Sequence, residues 1–353
     1  MRCVLKNKII IEDGFSTHHK TGVGQYTLML ENILIELGYD VIHINKNYLI
    51  KIKNRFIRRI FYNIWLNTFF LLEIKNMNTT AIFTNYAIPI FKIPNIKYIP
   101  VIHDLCSLNH PEFDTFFNNW YQNANVKNAV RHADKILTVS NTIKQEILST
   151  FDWYSNDIDV INSSITTGLD KVKITEDETQ VLNNLNVDST QYILSVATNN
   201  KRKNIDLLIQ AFNELEKKYK NLKLVLVGSG YKGKFLSKNI IITGYISDEY
   251  LKILYKHALL YVFPSLYEGF GTPILDAQYF GVPVLCSDIA VFHEVAGDGA
   301  EFCSTDYNSI ASKIEYLLNN RQRLNELIEL GELNLNRFQR NKIIQQVKKY
   351  SVV

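Results

Sequence analysis

Short runs of Val, Ile and Leu alternate with segments of helical periodicity along nearly the whole chain, and this alternation limits the fold more than any other feature. Several runs are almost continuously apolar, which is typical of parallel strands that are covered on both faces. The alternation therefore predicts an α/β fold with parallel sheets. The predicted strands are Lys8–Ile11, Val41–Ile44, Ala81–Thr84, Tyr98–Ile102, Lys135–Val139, Asp159–Ile161, Tyr192–Ala197, Lys223–Val227, Ile240–Thr243, Leu259–Phe263, Val282–Cys286 and Glu301–Cys303.

The strands form two series, which a polar stretch around Gly168 separates. A chain of 353 residues is long for one hydrophobic core, so the two series predict two domains. We expect the domains at residues 1–170 and 171–353, with a last helix at about 338–350 that packs back onto the first domain.

The composition excludes several classes of protein. The hydrophobic share of 46% and the charged share of 21% are those of an ordinary globular protein. A net charge of +4 is too small to indicate nucleic acid as a partner. The first apolar run reaches Glu12 and Asp13 too early for a signal peptide, and no run approaches the ~20 residues of a membrane span. We therefore expect a cytoplasmic protein.

The most informative motif is YVFPSLYEGFGTPILDAQYFGVPVLCSD, which begins at Tyr261. A buried strand ends here, Glu268 and Gly271 follow, and a helix begins near Thr272. Glycines directly before a helix allow its free N–H groups to approach an anion closely, and ligands bind at this edge of open α/β sheets. Asp276 lies about one turn into the helix. Taken alone, the motif is explained equally well by an ordinary link between a strand and a helix.

Three further motifs lie at predicted strand ends or helix starts. Gly22 and Gly24 open the first helix, but the third glycine of a dinucleotide fingerprint is missing, which disfavours a dehydrogenase. Arg202 and Lys203 lie in a basic loop that could neutralise a diphosphate or be an ordinary solvated surface. His103 follows a strand, where both a structural and a catalytic role are open.

The chain resembles the retaining glycosyltransferases of family 4, which have the GT-B fold. The second half carries the resemblance through SVATNNKRKNIDLLIQAF, LVLVGSG, ITGYISDEYL and the EGFG motif. The first half agrees more loosely through TGVGQYT, PVIHD and ADKILTVSNTIKQEIL. The resemblance implies two facing Rossmann-like domains with an interdomain cleft. It assigns acceptor binding to the first domain and nucleotide-sugar binding to the second.

The resemblance also implies roles for individual residues. Glu268 falls on the family's glutamate that faces the donor sugar, and Asp276 falls on its partner at the ribose, one methylene shorter than the usual glutamate. The implied catalytic residues are Glu268, His103, Arg202 and Lys203. The implied donor-binding residues are Gly22, Gly24, Arg202, Lys203, Tyr245, Ile246, Glu268, Phe270, Gly271, Thr272 and Asp276.

The same resemblance indicates substrates and cofactors. It is greatest to mannosyl- and rhamnosyltransferases of surface polysaccharide and O-antigen assembly, so GDP-mannose is the first expected donor and a lipid-linked glycan the expected acceptor. No metal is expected, because the Asp-x-Asp string Asp157–Asp159 lies at the start of a strand, where we expect it to be solvated. Two alternatives stay open: another GT-B enzyme such as a nucleotide-sugar 2-epimerase, and a two-lobed protein that binds small molecules.

One segment indicates a membrane surface. No acidic residue lies between Asp40 and Glu73, whereas Lys46–Phe70 is rich in basic and aromatic residues. A basic amphipathic helix of this kind binds anionic membranes. This predicts peripheral attachment to the inner face of the cell membrane. The alternative is a helix that packs on the first sheet and exposes a basic edge.

Overall fold

The computed structural model describes residues 7–15, 21–46, 49, 51–164, 168–187, 191–231 and 237–349. The chain divides into two compact units, Met1–Ser164 with Arg340–Val353, and Ile165–Gln339. The boundary was expected at residue 170. The last helix, Arg340–Lys349, belongs to the first unit and buries Ile343 and Val347.

The described elements alternate as the sequence predicts. The strands are β1 (Lys8–Glu12), β2 (Asp40–Ile42), β3 (Thr79–Phe83), β4 (Ile96–Ile102), β5 (Ile136–Thr138), β6 (Ile158–Val160), β7 (Tyr192–Val196), β8 (Lys223–Val227), β9 (Ile240–Gly244), β10 (Leu260–Phe263), β11 (Val284–Ser287) and β12 (Glu301–Cys303). The helices are α1 (Gly22–Glu36), α2 (Arg55–Asn67), α3 (Phe69–Ile74), α4 (Cys106–Asn109), α5 (Phe116–His132), α6 (Asn141–Thr150), α7 (Glu178–Asn184), α8 (Ile205–Leu215), α9 (Asp248–His257), α10 (Thr272–Tyr279), α11 (Ala290–Ala296), α12 (Tyr307–Leu318), α13 (Arg321–Leu335) and α14 (Arg340–Lys349). Short 3-10 turns are formed by Pro111–Phe113, Leu169–Lys171 and Lys201–Lys203.

The first unit contains a six-stranded sheet in the order β2-β1-β3-β4-β5-β6, with every neighbouring pair parallel. Its inner strands are apolar on both faces, as Ile9, Ile10 and Ile11 on β1 illustrate. Helix α1 begins at Gly22 because the Thr21 hydroxyl accepts a hydrogen bond from the Gly24 N–H at 3.2 Å.

The second unit has its own six-stranded parallel sheet in the order β12-β11-β10-β7-β8-β9. All four residues of β10 are buried, and its Leu260 and Val262 belong to a core that includes Phe212 of α8 and Ile314 of α12. The predicted α/β fold with two parallel sheets is confirmed. Each strand lies within two residues of its predicted ends, because a parallel strand covered on both faces is a continuous apolar run.

Helix α2 carries most of the segment in which the sequence indicates a membrane surface, although residues 47, 48 and 50 lie outside the described part of the chain. Its inner side buries Tyr62, Trp65 and Leu66, and Phe56 and Ile60 are exposed on the other side. Lys46 contradicts the prediction for this segment: it is buried and does not belong to a basic surface. Among the described helices, none is long and apolar enough to cross a bilayer.

Candidate functional site

The link between β10 and α10 positions Glu268 at the carboxyl edge of the second sheet. Strand β10 ends at Phe263, and α10 begins at Thr272 with Pro273 in its first turn. Gly271 stands before the helix with φ +107, where a side chain would be strained, and a Cβ here would lie 3.0 Å from Cε1 of Phe292. The sequence therefore requires glycine at this point, and the glycine brings bare backbone to the helix N-terminus.

The N-terminus of helix α10 is uncapped. No side chain caps α10. Among the described residues, the backbone N–H groups of Phe270, Gly271 and Thr272 donate no hydrogen bond. Free N–H groups at a helix N-terminus attract anions, because they carry the positive end of the helix dipole.

The basic loop after β7 brings its cations to Glu268. The Asn200 side chain accepts from the Lys203 N–H at 3.1 Å and so shapes the 3-10 turn. The Leu266 N–H donates to the Arg202 carbonyl at 2.8 Å, which ties the basic loop to the loop after β10. Lys203 Nζ is paired with Glu268 Oε1, and Arg202 Nη1 lies 3.7 Å from Glu268 Oε2. The basic loop and the loop after β10 thus lie together at this edge.

The charge state of Glu268 follows from these neighbours. Burial alone raises the pKa of the Glu268 carboxyl, but the charges of Lys203 and Arg202 outweigh burial and hold its pKa below the ordinary value. Glu268 is therefore ionised at neutral pH. Two cations, Arg202 and Lys203, thus lie beside the Glu268 carboxylate.

Asp276 is buried one turn into α10. Burial raises the pKa of the Tyr261 hydroxyl well above its ordinary value, and the charges of Asp276 and Glu268 raise it further. The charges of both carboxylates therefore influence the Tyr261 hydroxyl, so the two ends of the motif interact electrostatically. From the sequence, Tyr261 is predicted only as part of the strand Leu259–Phe263.

The turn after β9 lies at the same edge of the sheet, where glycines allow the backbones of neighbouring strands to approach closely. The Gly228 N–H donates to the Gly244 carbonyl at 3.0 Å. A Cβ on Gly228 would lie 2.2 Å from the Ala197 carbonyl oxygen, so only glycine fits. The carboxyl ends of β7, β8 and β9 thereby lie together, and the following residues Tyr245, which is strongly exposed, and Ile246 lie at this edge.

In the first unit, the glycine loop is arranged differently. The Gly24 N–H is already taken by Thr21, so it is not the open donor that a phosphate site would use. A Cβ on Gly22 would meet nothing within 4 Å, so the protein itself does not require glycine there. The ring of Tyr26, in the first turns of α1, lies edge-to-face against His103 with centroids 5.1 Å apart. The structure thus places His103 beside the start of α1.

His103 has a defined hydrogen-bond partner. Its Nε2 lies 2.8 Å from the Thr84 carbonyl oxygen, which requires the proton on Nε2 and leaves Nδ1 as an acceptor. Burial lowers the pKa of His103 and outweighs the Thr84 carbonyl and Asp104, which raise it. His103 is therefore neutral at pH 7.

A second buried charge cluster was not predicted. Glu12 and Asp13, at the carboxyl end of β1, pair with Lys46, whose Nζ lies 2.6 Å from Asp13 Oδ1. The Tyr62 hydroxyl donates to Glu12 Oε1 at 3.1 Å, and Lys46 Nζ lies 5.1 Å from the centre of the Phe15 ring. The signal in the sequence is the acidic pair Glu12 and Asp13 directly after an apolar strand, which by itself indicates only that the apolar run is too short for a signal peptide.

The glycosyl transferases group 1 family matches residues 177–333, which include every loop of the second unit described above. The O-antigen chain mannosyltransferase B of Escherichia coli is 30% identical over 245 residues, which are 65% of this chain and 64% of that protein. The O-antigen chain mannosyltransferase RfbU of Salmonella typhimurium is 29% identical over 255 residues, which are 69% of this chain and 67% of that protein. The chain thus spans somewhat less than two thirds of the first of these relatives.

Solved structures share the fold. Sucrose-phosphate synthase from Thermosynechococcus elongatus superposes with a TM-score of 0.75 at 16% identity, and the match covers 98% of both chains. This likeness confirms the predicted GT-B fold.

Proposed function

We propose that the chain moves a hexose from a nucleotide diphosphate sugar to a glycan, on the premise that residues 177–333 match the glycosyl transferases group 1 family. One observation carries the proposal: two cations and three open amides gather at one sheet edge, which we name the anion edge (Arg202, Lys203 and the N–H groups of residues 270–272). Sugar transfer must stabilise a departing diphosphate, and fixed cations and amides provide that stabilisation.

In the proposed reaction, the bond between the anomeric carbon and the diphosphate oxygen breaks, and Arg202 and Lys203 neutralise the charge that develops on the diphosphate. Glu268 faces the hydroxyls of the donor sugar. The acceptor hydroxyl attacks the anomeric carbon from the face that the diphosphate leaves. Its proton passes to a diphosphate oxygen, and the configuration at the anomeric carbon is retained.

The other predicted residues hold the donor. The proposed contacts are the amides of Phe270, Gly271 and Thr272 with diphosphate oxygens, Asp276 with the ribose, Tyr245 and Ile246 with the base, and Gly22, Gly24 and His103 with sugar or phosphate oxygens on the first unit. Because Thr21 occupies the Gly24 N–H, Gly24 contributes space for close approach and not a hydrogen bond. His103 contributes the acceptor Nδ1.

The names of the relatives support a mannosyl donor. Both matched proteins are O-antigen chain mannosyltransferases, so we propose GDP-mannose as the donor and a lipid-linked glycan of surface polysaccharide as the acceptor. The protein would then work in the cytoplasm, at the inner face of the cell membrane.

We propose that the reaction needs no metal ion. The described residues contain no group of three or more His, Cys, Asp or Glu side chains that could hold one. In the Asp-x-Asp string, Asp159 Oδ2 lies 2.8 Å from Lys135 Nζ, so this carboxylate already has a cation. Turnover should therefore continue in excess chelator, and loss of turnover that magnesium or manganese restores would contradict the proposal.

The decisive experiment measures transfer of labelled mannose from GDP-mannose by Glu268→Gln, with Glu301→Gln as its control. Glu301 is also paired with a lysine and an arginine, at 2.6 Å from Lys313 and 3.1 Å from Arg323, but it begins β12 at the opposite edge of the same sheet. We expect Glu268→Gln to lose about 100-fold or more of the rate and Glu301→Gln to keep it.

The same assay separates the alternatives. A 2-epimerase would leave the label in a nucleotide sugar of changed configuration, and a binding protein would retain GDP-mannose without turnover. Either result, or equal rates for the two variants, would overturn the proposal.

A further inference from the structure

Helix α2 has apolar residues on two sides, and its sheet covers one of them. The outer residues are Phe56, Ile57, Ile60, Phe61 and Ile64, each between 43% and 63% exposed. Their spacing places them on one face of the helix. Exposure of five large apolar side chains to water is unfavourable, because the transfer of each isoleucine or aromatic ring out of water lowers the free energy.

Helix α5 adds three aromatic residues to this surface. Phe116, Phe117 and Trp120, in its first turns, are 80%, 72% and 63% exposed. The two helices are joined side by side, because Arg59 Nη1 donates to Asn118 Oδ1 at 2.6 Å and Asn63 Nδ2 donates to the Tyr121 hydroxyl oxygen at 2.9 Å. The outer residues of α2 together with Phe116, Phe117 and Trp120 form what we name the α2–α5 face.

The charges near the α2–α5 face indicate which kind of partner it binds. Lys51 and Lys53 precede α2 and are exposed, and residues 41–72 contain no Asp or Glu. At the start of α5, the carboxylates of Glu112 and Asp114 are held by neighbours, Glu112 by His110 at 3.2 Å and Asp114 by Asn118 at 2.9 Å. Cations beside exposed aromatic rings complement the headgroups and acyl region of an anionic bilayer.

Arg58 and Arg59 of α2 are held by contacts within the protein. Arg59 is bonded to α5, and its Cζ lies 5.2 Å from the centre of the Tyr121 ring. Arg58 Cζ lies 5.8 Å from the centre of the Phe15 ring. Lys46 is buried with Glu12 and Asp13. Attraction by charge is thus limited, and the apolar side chains must provide most of the binding.

We propose that the α2–α5 face inserts its aromatic and isoleucine side chains into the interfacial layer of an anionic membrane. Trp120 lies in that layer, where tryptophan rings are favoured. Lys51 and Lys53 contact the headgroups. The binding needs no donor or acceptor sugar, so it holds or fails independently of the transferase activity.

The test compares Trp120→Ala with Trp153→Ala in co-sedimentation with vesicles. Both tryptophans belong to the first unit and are exposed, at 63% and 56%, but Trp153 lies outside the α2–α5 face. The vesicles are pure phosphatidylcholine, or an equal mixture of phosphatidylcholine and phosphatidylglycerol. We expect Trp120→Ala to lower partitioning onto the mixed vesicles roughly tenfold or more, and Trp153→Ala to leave it unchanged.

Two further measurements separate this proposal from charge-driven binding and from self-association. The tryptophan emission of the unsubstituted chain should shift to the blue on mixed vesicles, and Trp120→Ala should abolish the shift. Raising salt from low to physiological ionic strength should weaken binding far less than Trp120→Ala does. Equal partitioning of the two variants overturns the proposal. So does a dimer, seen by analytical ultracentrifugation, that Trp120→Ala dissolves and vesicles do not.

Discussion

Both units bury carboxylates against cations at the carboxyl edge of a parallel sheet, but the two clusters differ in their exposure to solvent. In the first unit, Lys46 pairs with Glu12 and Asp13, and the exposed fractions of these side chains are 8%, 1% and 8%. In the second unit, Arg202 and Lys203 face Glu268 and are 24% and 16% exposed. The first cluster is closed to solvent, and the second is partly open.

The N-termini of helices α1 and α10 also differ. The Thr21 hydroxyl caps α1 from within the protein, whereas no side chain caps α10. A cluster that is closed to solvent can stabilise the fold but leaves no access for a ligand. A partly open cluster of cations beside an uncapped helix N-terminus can bind an anion. The comparison therefore assigns the first cluster to structure and the second to ligand binding.

The largest effect is expected from Lys46→Met, which tests the structural assignment. The substitution removes the lysine that pairs with the buried Glu12 and Asp13, and breaking a buried pair in this way costs about 3–5 kcal/mol. The measurement is urea unfolding followed by tryptophan fluorescence. All three tryptophans, Trp65, Trp120 and Trp153, lie in the first unit, so the signal reports on that unit.

The control for Lys46→Met removes the carboxylate charges as well. Glu12→Gln and Asp13→Asn added to Lys46→Met should recover most of the lost free energy of unfolding, because the two carboxylate charges that Lys46 neutralises are then removed as well. If Lys46→Met alone unfolds at the same urea concentration as the unsubstituted chain, the first cluster is not structural.

A smaller effect is expected from Arg202→Ala, which tests the assignment to ligand binding. The change removes one of the two cations that face Glu268. Loss of one charge-assisted hydrogen bond, worth about 1.5–3 kcal/mol, should weaken GDP binding about 10- to 150-fold in calorimetry. Lys201→Ala, an exposed lysine in the same turn, is the matched control. Equal affinity in the two variants would show that the Arg202 guanidinium has no role in binding.

The smallest expected effect is a change in how stability depends on pH, and it involves one titrating side chain in each unit. Burial keeps the pKa of folded His103 below its ordinary 6.5, and Lys203 and Arg202 outweigh burial to keep that of Glu268 below 4.5. Between the folded and unfolded pKa values, the unfolded chain binds more protons, so stability falls as pH falls through that range. His103 should therefore lose its contribution below about pH 6.5 and Glu268 only below about pH 4.5.

The measurement is urea unfolding of the first unit at pH 7.5 and 5.5. We expect His103→Gln, which keeps a donor for the Thr84 carbonyl, to make unfolding less sensitive to pH in this range. Glu268→Gln should behave like the unsubstituted chain. An unchanged pH sensitivity in His103→Gln would contradict the lowered pKa of His103.

The sequence predicts the second unit's cluster and not the first unit's for a physical reason. Glu268, Arg202 and Lys203 lie in loops directly after strands. Glu268 also belongs to a glycine-rich motif, in which the need for glycine can be read from the sequence. Lys46 lies in a polar stretch far along the chain from Glu12, and only the folded sheet brings the two together. Local sequence does not contain that pairing.

Buried strands can be predicted from the sequence more completely than the buried face of a helix. A continuous apolar run gives a buried parallel strand wherever the strand stands in the sheet, which is why the predicted strand ends are accurate. Helix α2 shows apolar periodicity too, but the pattern does not say which side meets the sheet. Trp65 is buried and Phe56 is exposed, although both are aromatic.

Helix α14 has a consequence for the order in which the chain folds during synthesis. It buries Ile343 and Val347 in the first unit, and its Gln346 is hydrogen-bonded to Asn162 at 2.8 Å and 2.9 Å. Residues 165–339, the whole second unit, are made before this helix. Domains made first usually fold first. Here the ribosome completes the continuous second unit while the first unit still lacks one of its helices, so the amino-terminal unit is the last to reach its final form.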